Sequence, residues 1–395
     1  MSLRIGFLIS HPIQYYTPIF RALAGLCDFT VFFAHRQTAE QQASAGFGVA
    51  FEWDIDLLSG YRSRFLDNVS RHPSTDHFSG CDTPGIAGEI AEGGFDAFVV
   101  PGWGLRSYLQ AAKACRRAGV PIFVRGDSQL VGQRRALVRI AKALLFARIL
   151  RRFDGFLYVG QRNRDYLLHY GARRDRLFFS PHCVDNDAFS IASAAARQLA
   201  LADECPDPKP KRILFVGKLV RRKHPLDVLR AAALLARQGT SVEVAFAGSG
   251  ELEPALRDAA RVEGVPTLFH GFVNQSEMPS VYAASDAMVL PSDGLETWGL
   301  AVNEAMACGI PAVVSDAVGC GPDLVEPGIT GATFPLGDIA ALAGALGTAI
   351  SLDPSATRQQ LAARMQVYSP LGAAKGIVQA ATALAARSSA QGEKR

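Results

Sequence analysis

The second half of the chain repeats one arrangement, a short apolar run that stops at a glycine or proline and is followed by a helix-length segment, and this repetition leaves few folds open. Arg212-Ile213-Leu214-Phe215-Val216 stops at Gly217, and Pro225 then starts a helix over Leu226–Arg237. The run from Val242 ends in Gly248-Ser249-Gly250 and precedes a helix over Glu253–Arg261. Thr267–Val273 is a third strand, followed by a helix over Met278–Ala284, and Asp286–Leu290 with Pro291-Ser292 is a fourth. Strands that alternate with helices predict a parallel sheet wound by helices on both faces.

The first half reads the same way. Strands are expected at Arg4–Ile9, Phe29–Phe33, Phe95–Val100, Pro121–Val124, Phe156–Val159 and Leu177–Ser180, with a helix over Thr17–Leu26 after the first. At 395 residues the chain is long for one domain, since a prior of ~150 residues per domain suggests two or three. The polar, proline-rich run 202–211 is the natural linker. The expected division is an N-terminal domain over 1–205 and a C-terminal domain over 206–370, with an alanine-rich helix over 371–387 returning to the first. Ligands in such sheets bind outside the carboxyl ends of the strands. Lys218, Gly248, Phe272 and Glu296 stand at such ends in the second half, as do the His11-to-Tyr15 loop, Trp103 and Asp127 in the first.

The most specific chemistry lies between Glu296 and Glu304. A short apolar helix, Leu300–Cys308, begins between these two glutamates and is stopped by Gly309 and Pro311. Its start at Thr297-Trp298-Gly299 offers backbone N–H groups and the positive dipole end to an anion such as a diphosphate, while carboxylates on either side suit vicinal hydroxyls. A nucleotide sugar has both. Gly217 with Lys218 and Lys223, between a strand end and a helix start, forms a second phosphate cradle.

These residues resemble the E-x7-E motif of the retaining glycosyltransferases of family 4, which have the GT-B fold of two Rossmann-like doubly wound domains facing a cleft. The resemblance covers nearly the whole chain, and its specific motifs lie within residues 215–305. It implies that a UDP- or GDP-linked sugar is the co-substrate, with no other cofactor and no metal. Glu304 would hold ribose hydroxyls, Lys218 and Lys223 the diphosphate, the amides of Thr297, Trp298, Gly299 and Leu300 phosphate and sugar, and Glu296 the transferred sugar. Gly217, Gly248, Phe272 and Val273 would complete the donor site, the last two beside the nucleobase. Glu296, Asp127, Lys218 and Lys223 would be catalytic. His11, Gln14, Tyr15 and Trp103 would face a glycan, lipid-linked or small-molecule acceptor, as in surface polysaccharide or glycoconjugate synthesis.

The chain departs from the pattern at three places. Lys218 stands where the family carries arginine, which keeps the charge and loses the bidentate fork. The His11-to-Tyr15 loop lacks the paired glycines common there. Asp127 follows a buried strand where many relatives carry histidine, and it reads equally as a group near the reacting sugar or as a turn aspartate capping the next helix. His11 reads as an acceptor-orienting group or as a loop histidine bonded to backbone.

The rest of the sequence mostly excludes. Asp54 with Asp56, and Asp185 with Asp187, are D-x-D pairs, but Val184–Phe189 resembles the V-D-x-x-x-F stretch that closes the first domain in the family. The 7 cysteines are odd in number and have no paired spacing, as expected of reduced intracellular thiols. A net charge of +4 is too small to imply nucleic acid. With no signal peptide and no apolar run of membrane-spanning length, the expected location is the cytoplasm. The basic amphipathic stretch 133–152 would allow contact with the inner face of the cell membrane, or else packs on the first sheet with its basic face in solvent. Two other classes fit the same cradle: a sugar-nucleotide isomerase of the 2-epimerase type, and a non-catalytic nucleotide-binding module.

Overall fold

The computed structural model describes residues 2–38, 52–130, 143, 145–202 and 209–392, and the chain divides into two units. The first comprises Met1–Gln41, Asp56–His182 and Pro370–Arg395, and the second Gln42–Ile55 and Cys183–Ser369.

The first unit is a parallel sheet of seven strands: β1 (Arg4–Ile9), β2 (Asp28–Phe33), β3 (Arg62–Phe65), β4 (Ala97–Val100), β5 (Ile122–Gly126), β6 (Gly155–Tyr158) and β7 (Leu177–Phe179). Their order is β3-β2-β1-β4-β5-β6-β7, so the winding reverses between β1 and β4. β4 and all of β1 beyond the exposed Arg4 are buried, and Leu8, Phe98, Val100 and Val124 join Phe32, Tyr108 and Phe153 in one apolar cluster. The helix Pro370–Gly392 packs on the helix Thr17–Ala24 and on β7, and the Ser180 hydroxyl donates to the Ala373 carbonyl at 3.1 Å.

The second unit is a six-stranded parallel sheet: β8 (Lys211–Val216), β9 (Val242–Ala247), β10 (Thr267–Gly271), β11 (Ala287–Leu290), β12 (Ala312–Ser315) and β13 (Gly331–Phe334), in the order β10-β9-β8-β11-β12-β13. Its winding reverses between β8 and β11. A core of Ile213, Phe215, Val244, Phe246 and Val289 is closed by the helices Pro225–Arg237 and Ile339–Ile350. Both units are therefore Rossmann-like doubly wound sheets, each with a crevice expected at its reversal point.

The boundary between units lies earlier than the proline-rich run suggests. The helix Asn186–Ala202 belongs with the second unit, where it packs on the helices Met278–Ala283 and Leu300–Ala307. Polar ties fix it there. The Asn186 amide donates to the carbonyls of Met365 (2.7 Å) and Tyr368 (3.0 Å), and Arg197 Nη1 donates to the Cys308 carbonyl at 2.8 Å. Residues 203–208 of the linker lie outside the described residues, as does most of the basic stretch 133–152, namely 131–142 and 144. β3, β12 and β13 are strands that the sequence did not announce.

Gly248 shows how closely the loops above the second sheet approach one another. It has φ +137°, and a Cβ there would lie 2.1 Å from the Gly217 carbonyl oxygen. Gly248→Ala is expected to combine a disfavoured φ with a backbone clash, costing about 1–3 kcal/mol. A thermal melt several degrees below wild type is the expected outcome, and an unchanged melt would show that the two loops can part freely.

Candidate functional site

In the second unit, β8 ends at Val216, Gly217 turns the chain with φ +139°, and a single 3-10 turn, Arg221–Lys223, precedes the helix Pro225–Arg237. His224 joins turn to helix in the left-handed region, φ +51°, with Nδ1 3.0 Å from Asp227 Oδ2. This bend leaves Arg221 and Arg222 exposed and turns Lys223 inward. A Cβ on Gly217 would lie 3.9 Å from both Cε and Nζ of Lys223, so the lysine passes directly over the glycine.

Lys223 Nζ donates to Glu296 Oε2 in an ion pair whose side chains are 11% and 16% exposed. Glu296 is brought there by the loop after β11, which is pinned on both sides. The Asp293 amide donates to the Arg222 carbonyl, the Glu296 amide to the Asp293 carbonyl and the Gly319 amide to the Glu296 carbonyl, each at 3.0 Å. Lys218 stands half-buried nearby, and its pKa is lowered by desolvation and then by the charges of Arg222 and Lys223. Three cations crowding one another attract a polyanion. Gly217, Lys218, Lys223 and Glu296 thus gather where the strand order reverses. Gly248 lies beside Gly217 and donates to the Gly271 carbonyl at 2.7 Å, while Phe272 and Val273 continue half-buried from the end of β10.

Gly299 begins the helix Leu300–Ala307 at φ +104°, where a Cβ would lie 2.7 Å from Leu290 Cδ2. No side chain caps this start, and the first bond is Val302 N–H to the Gly299 carbonyl at 2.9 Å, which suits an anion at the helix end. The Trp298 indole is buried, donates through Nε1 to Asn303 Oδ1 at 2.8 Å and packs on Tyr368, so its side chain anchors the loop whose backbone amides are the expected anion donors. Glu304 projects from the helix and accepts from the Tyr282 hydroxyl at Oε2, 2.8 Å away. Desolvation raises its pKa to about 7, opposed in part by that hydrogen bond.

In the first unit, Arg125 from the end of β5 is fully buried, donates from Nε to Ser180 Oγ (3.1 Å) and from Nη2 to the Pro181 carbonyl (2.7 Å), and lies over the Tyr16 ring. It thereby holds the turn after β7 that carries His182. His182 is buried, with Nε2 3.8 Å from Asp127 Oδ2 and the Tyr15 ring edge-on against it. Burial lowers its pKa, as does Arg125, whereas Asp127 raises it. Asp127 itself is 45% exposed in its side chain. Tyr15, Asp127 and His182 therefore form one cluster, and neither Arg125 nor His182 carried any sequence signal beyond standing at a strand end.

His11 is set apart from this cluster. Its Nδ1 lies 3.0 Å from Ser10 Oγ, and burial followed by the charge of His35 lowers its pKa to about 4, against a raising influence from Asp76. Gln14 is half-buried in the same loop. Trp103 is partly buried and packs edge-on against Phe146 and close to Phe153 beside the apolar cluster. Three of the D-x-D carboxylates bond within the protein: Asp185 accepts from the Ala188 amide and Asp56 from the amides of Leu58 and Ser59, while Asp54 accepts from the sequence-distant Ser276. Among the described residues no cluster of three or more His, Cys, Asp or Glu has the arrangement of a metal site, and no single helix is long and apolar enough to cross a membrane.

Comparison with known proteins agrees with this geometry. Residues 200–366, less than half of the chain, match the family described as Glycosyl transferases group 1. Over 166 residues the chain is 33% identical to the glycogen synthase of Mycobacterium tuberculosis, covering 42% of this chain and 40% of that one. It is 34% identical over 180 residues to the D-inositol 3-phosphate glycosyltransferase of Mycobacterium sp. (strain KMS), covering 45% and 40%. The chain thus spans 40% of the length of these two curated relatives. Alr3699/HepE of Anabaena, solved in complex with UDP, superposes with a TM-score of 0.67 over 95% of this chain and 99% of that one at 17% identity. The fold is that of the GT-B glycosyltransferases, two α/β domains each with a parallel sheet.

Proposed function

We propose that this chain is a retaining glycosyltransferase that moves a sugar from a UDP- or GDP-linked donor to a glycan or lipid-linked acceptor in the synthesis of a surface polysaccharide or glycoconjugate, acting in the cytoplasm or at the inner face of the membrane. The observation that carries this reading is the Lys223–Glu296 ion pair at the strand-order reversal, inside the stretch matched to glycosyl transferases. A structural relative solved in complex with UDP, and curated relatives named for glycogen synthesis and inositol phosphate glycosylation, support a nucleotide-sugar donor.

In this reading the diphosphate lies against the start of the helix Leu300–Ala307 and between Lys218 and Lys223, ribose hydroxyls donate to Glu304, and Glu296 accepts from the sugar. The bond between the anomeric carbon and the diphosphate oxygen breaks, and the acceptor oxygen bonds to that carbon from the same face. The acceptor proton passes to the departing phosphate. The fixed cations are worth most when the leaving charge develops.

Incubation with UDP- and GDP-linked hexoses, with and without glycan acceptors, tests the proposal. Acceptor-dependent transfer with the anomeric configuration kept is the expected result. Isomerisation without acceptor would replace it by a 2-epimerase, and binding without turnover by a nucleotide-binding module.

A further inference from the structure

We infer that Tyr282 is a positioning residue of the nucleotide-sugar site, holding the Glu304 carboxylate in place for the ligand's hydroxyls. The inference rests on the donor-site reading above and adds a residue that this reading does not contain.

Tyr282 is fully buried on the helix Met278–Ala283, and its hydroxyl lies 2.8 Å from Glu304 Oε2 and 3.3 Å from the Ala301 carbonyl. Phe189, from the helix Asn186–Ala202, packs against its ring. Burial and the neighbouring carboxylate keep the phenol protonated, so it acts as the donor. One carboxylate oxygen is occupied in this way, while Glu304 keeps part of its surface exposed for a ligand. Among the described residues the other titratable group bearing on it is Cys308, whose thiol burial pushes up to about 12 and whose carbonyl accepts from Arg197. Neither changes charge between pH 6 and 8.

With Glu304 raised to about 7, the folded apo protein holds a proton that the unfolded chain has already lost. Its contribution to stability is complete below the ordinary carboxyl value and is lost as pH rises through about 7. Ribose hydroxyls favour the ionised form, so donor affinity rises over the same interval.

Calorimetric titration of UDP-glucose and GDP-mannose at pH 6, 7 and 8, in buffers of different protonation enthalpy, tests the inference. For at least one donor, wild type is expected to bind several-fold more tightly at pH 8 than at pH 6 and to release a fraction of a proton at pH 7. Tyr282→Phe should bind about tenfold more weakly, with the rise displaced to higher pH, since the carboxylate loses the Tyr282 hydroxyl as a donor. Glu304→Gln, whose amide oxygen can still accept from Tyr282, should bind weakly and lose the pH dependence. Circular dichroism confirms that each variant is folded, and Glu304→Gln carries the test if Tyr282→Phe is not. Wild-type binding independent of pH, with Tyr282→Phe of normal affinity, would overturn the inference and leave the proposed function standing. Binding of neither donor by wild type would overturn both.

Discussion

Lys223→Ala is expected to lower sugar transfer by about 10²–10³-fold, the scale of removing one donor aimed at developing negative charge. It should also lower the melting temperature by several degrees. The second effect follows from the pairing with Glu296: both side chains are largely enclosed, and removing one partner leaves the other carboxylate desolvated without its counterion. Breaking a fully buried pair costs about 3–5 kcal/mol, and the residual exposure here reduces that to roughly 2–4 kcal/mol. Lys218→Ala makes the informative contrast. Lys218 is half-buried and crowded by Arg222 and Lys223, so its loss removes repulsion in the apo protein while still weakening the hold on the diphosphate. Its transfer rate should fall and its melting temperature should not. Steady-state transfer and thermal melts of the two variants separate these outcomes. Normal transfer by both would mean that the cradle is a solvated basic turn.

How far these residues were legible in the sequence depended on what each one packs against. β8 and β9 carry the apolar runs Ile213–Val216 and Val244–Ala247, β11 is apolar throughout, and the three end at Gly217, Gly248 and Pro291, so both their type and their ends could be read. β3 reads Arg-Ser-Arg-Phe at the edge of its sheet, where alternate side chains face water and no apolar run forms. β13 reads Gly-Ala-Thr-Phe and forms no apolar run, while β12, Ala-Val-Val-Ser, follows directly on Pro311, which marked only a helix stop. The helix Asn186–Ala202 was not read from the sequence, where only Val184–Phe189 stood out, as a stretch closing the first domain. The partners that assign it to the second unit, Met365, Tyr368 and Cys308, are distant in sequence. The same limit applies within the sites. Lys223 and Glu296 were each found by local pattern, whereas Tyr282 was one aromatic on an ordinary short helix until its hydroxyl was seen against Glu304.

Asp127→Asn is expected to reduce transfer on the order of 10²-fold while leaving donor affinity and melting temperature close to wild type. The aspartate is 45% exposed at the end of β5, and the imidazole of His182 lies behind it, buried, 3.8 Å away, and fixed by the Arg125 bonds to Ser180 and Pro181. Burial and Arg125 both favour neutral His182, so at pH 7 the arrangement is a carboxylate backed by an uncharged ring, with Tyr15 closing one side. Such a carboxylate can orient an acceptor hydroxyl or steady positive charge on the sugar, and asparagine keeps its shape without its charge. Asparagine also caps a turn or helix about as well as aspartate, so a purely structural Asp127 would lose little in either assay. His182→Asn then separates charge from position, because a buried neutral group can be replaced without altering net charge at pH 7. If Asp127 acts on the acceptor and His182 only holds it, transfer falls in both variants, and the pH profile of the residual activity is changed only by Asp127→Asn. Near-normal transfer by Asp127→Asn would assign the cluster to the scaffold and leave His11, neutral at pH 7 beside Ser10, as the first-unit group to test next.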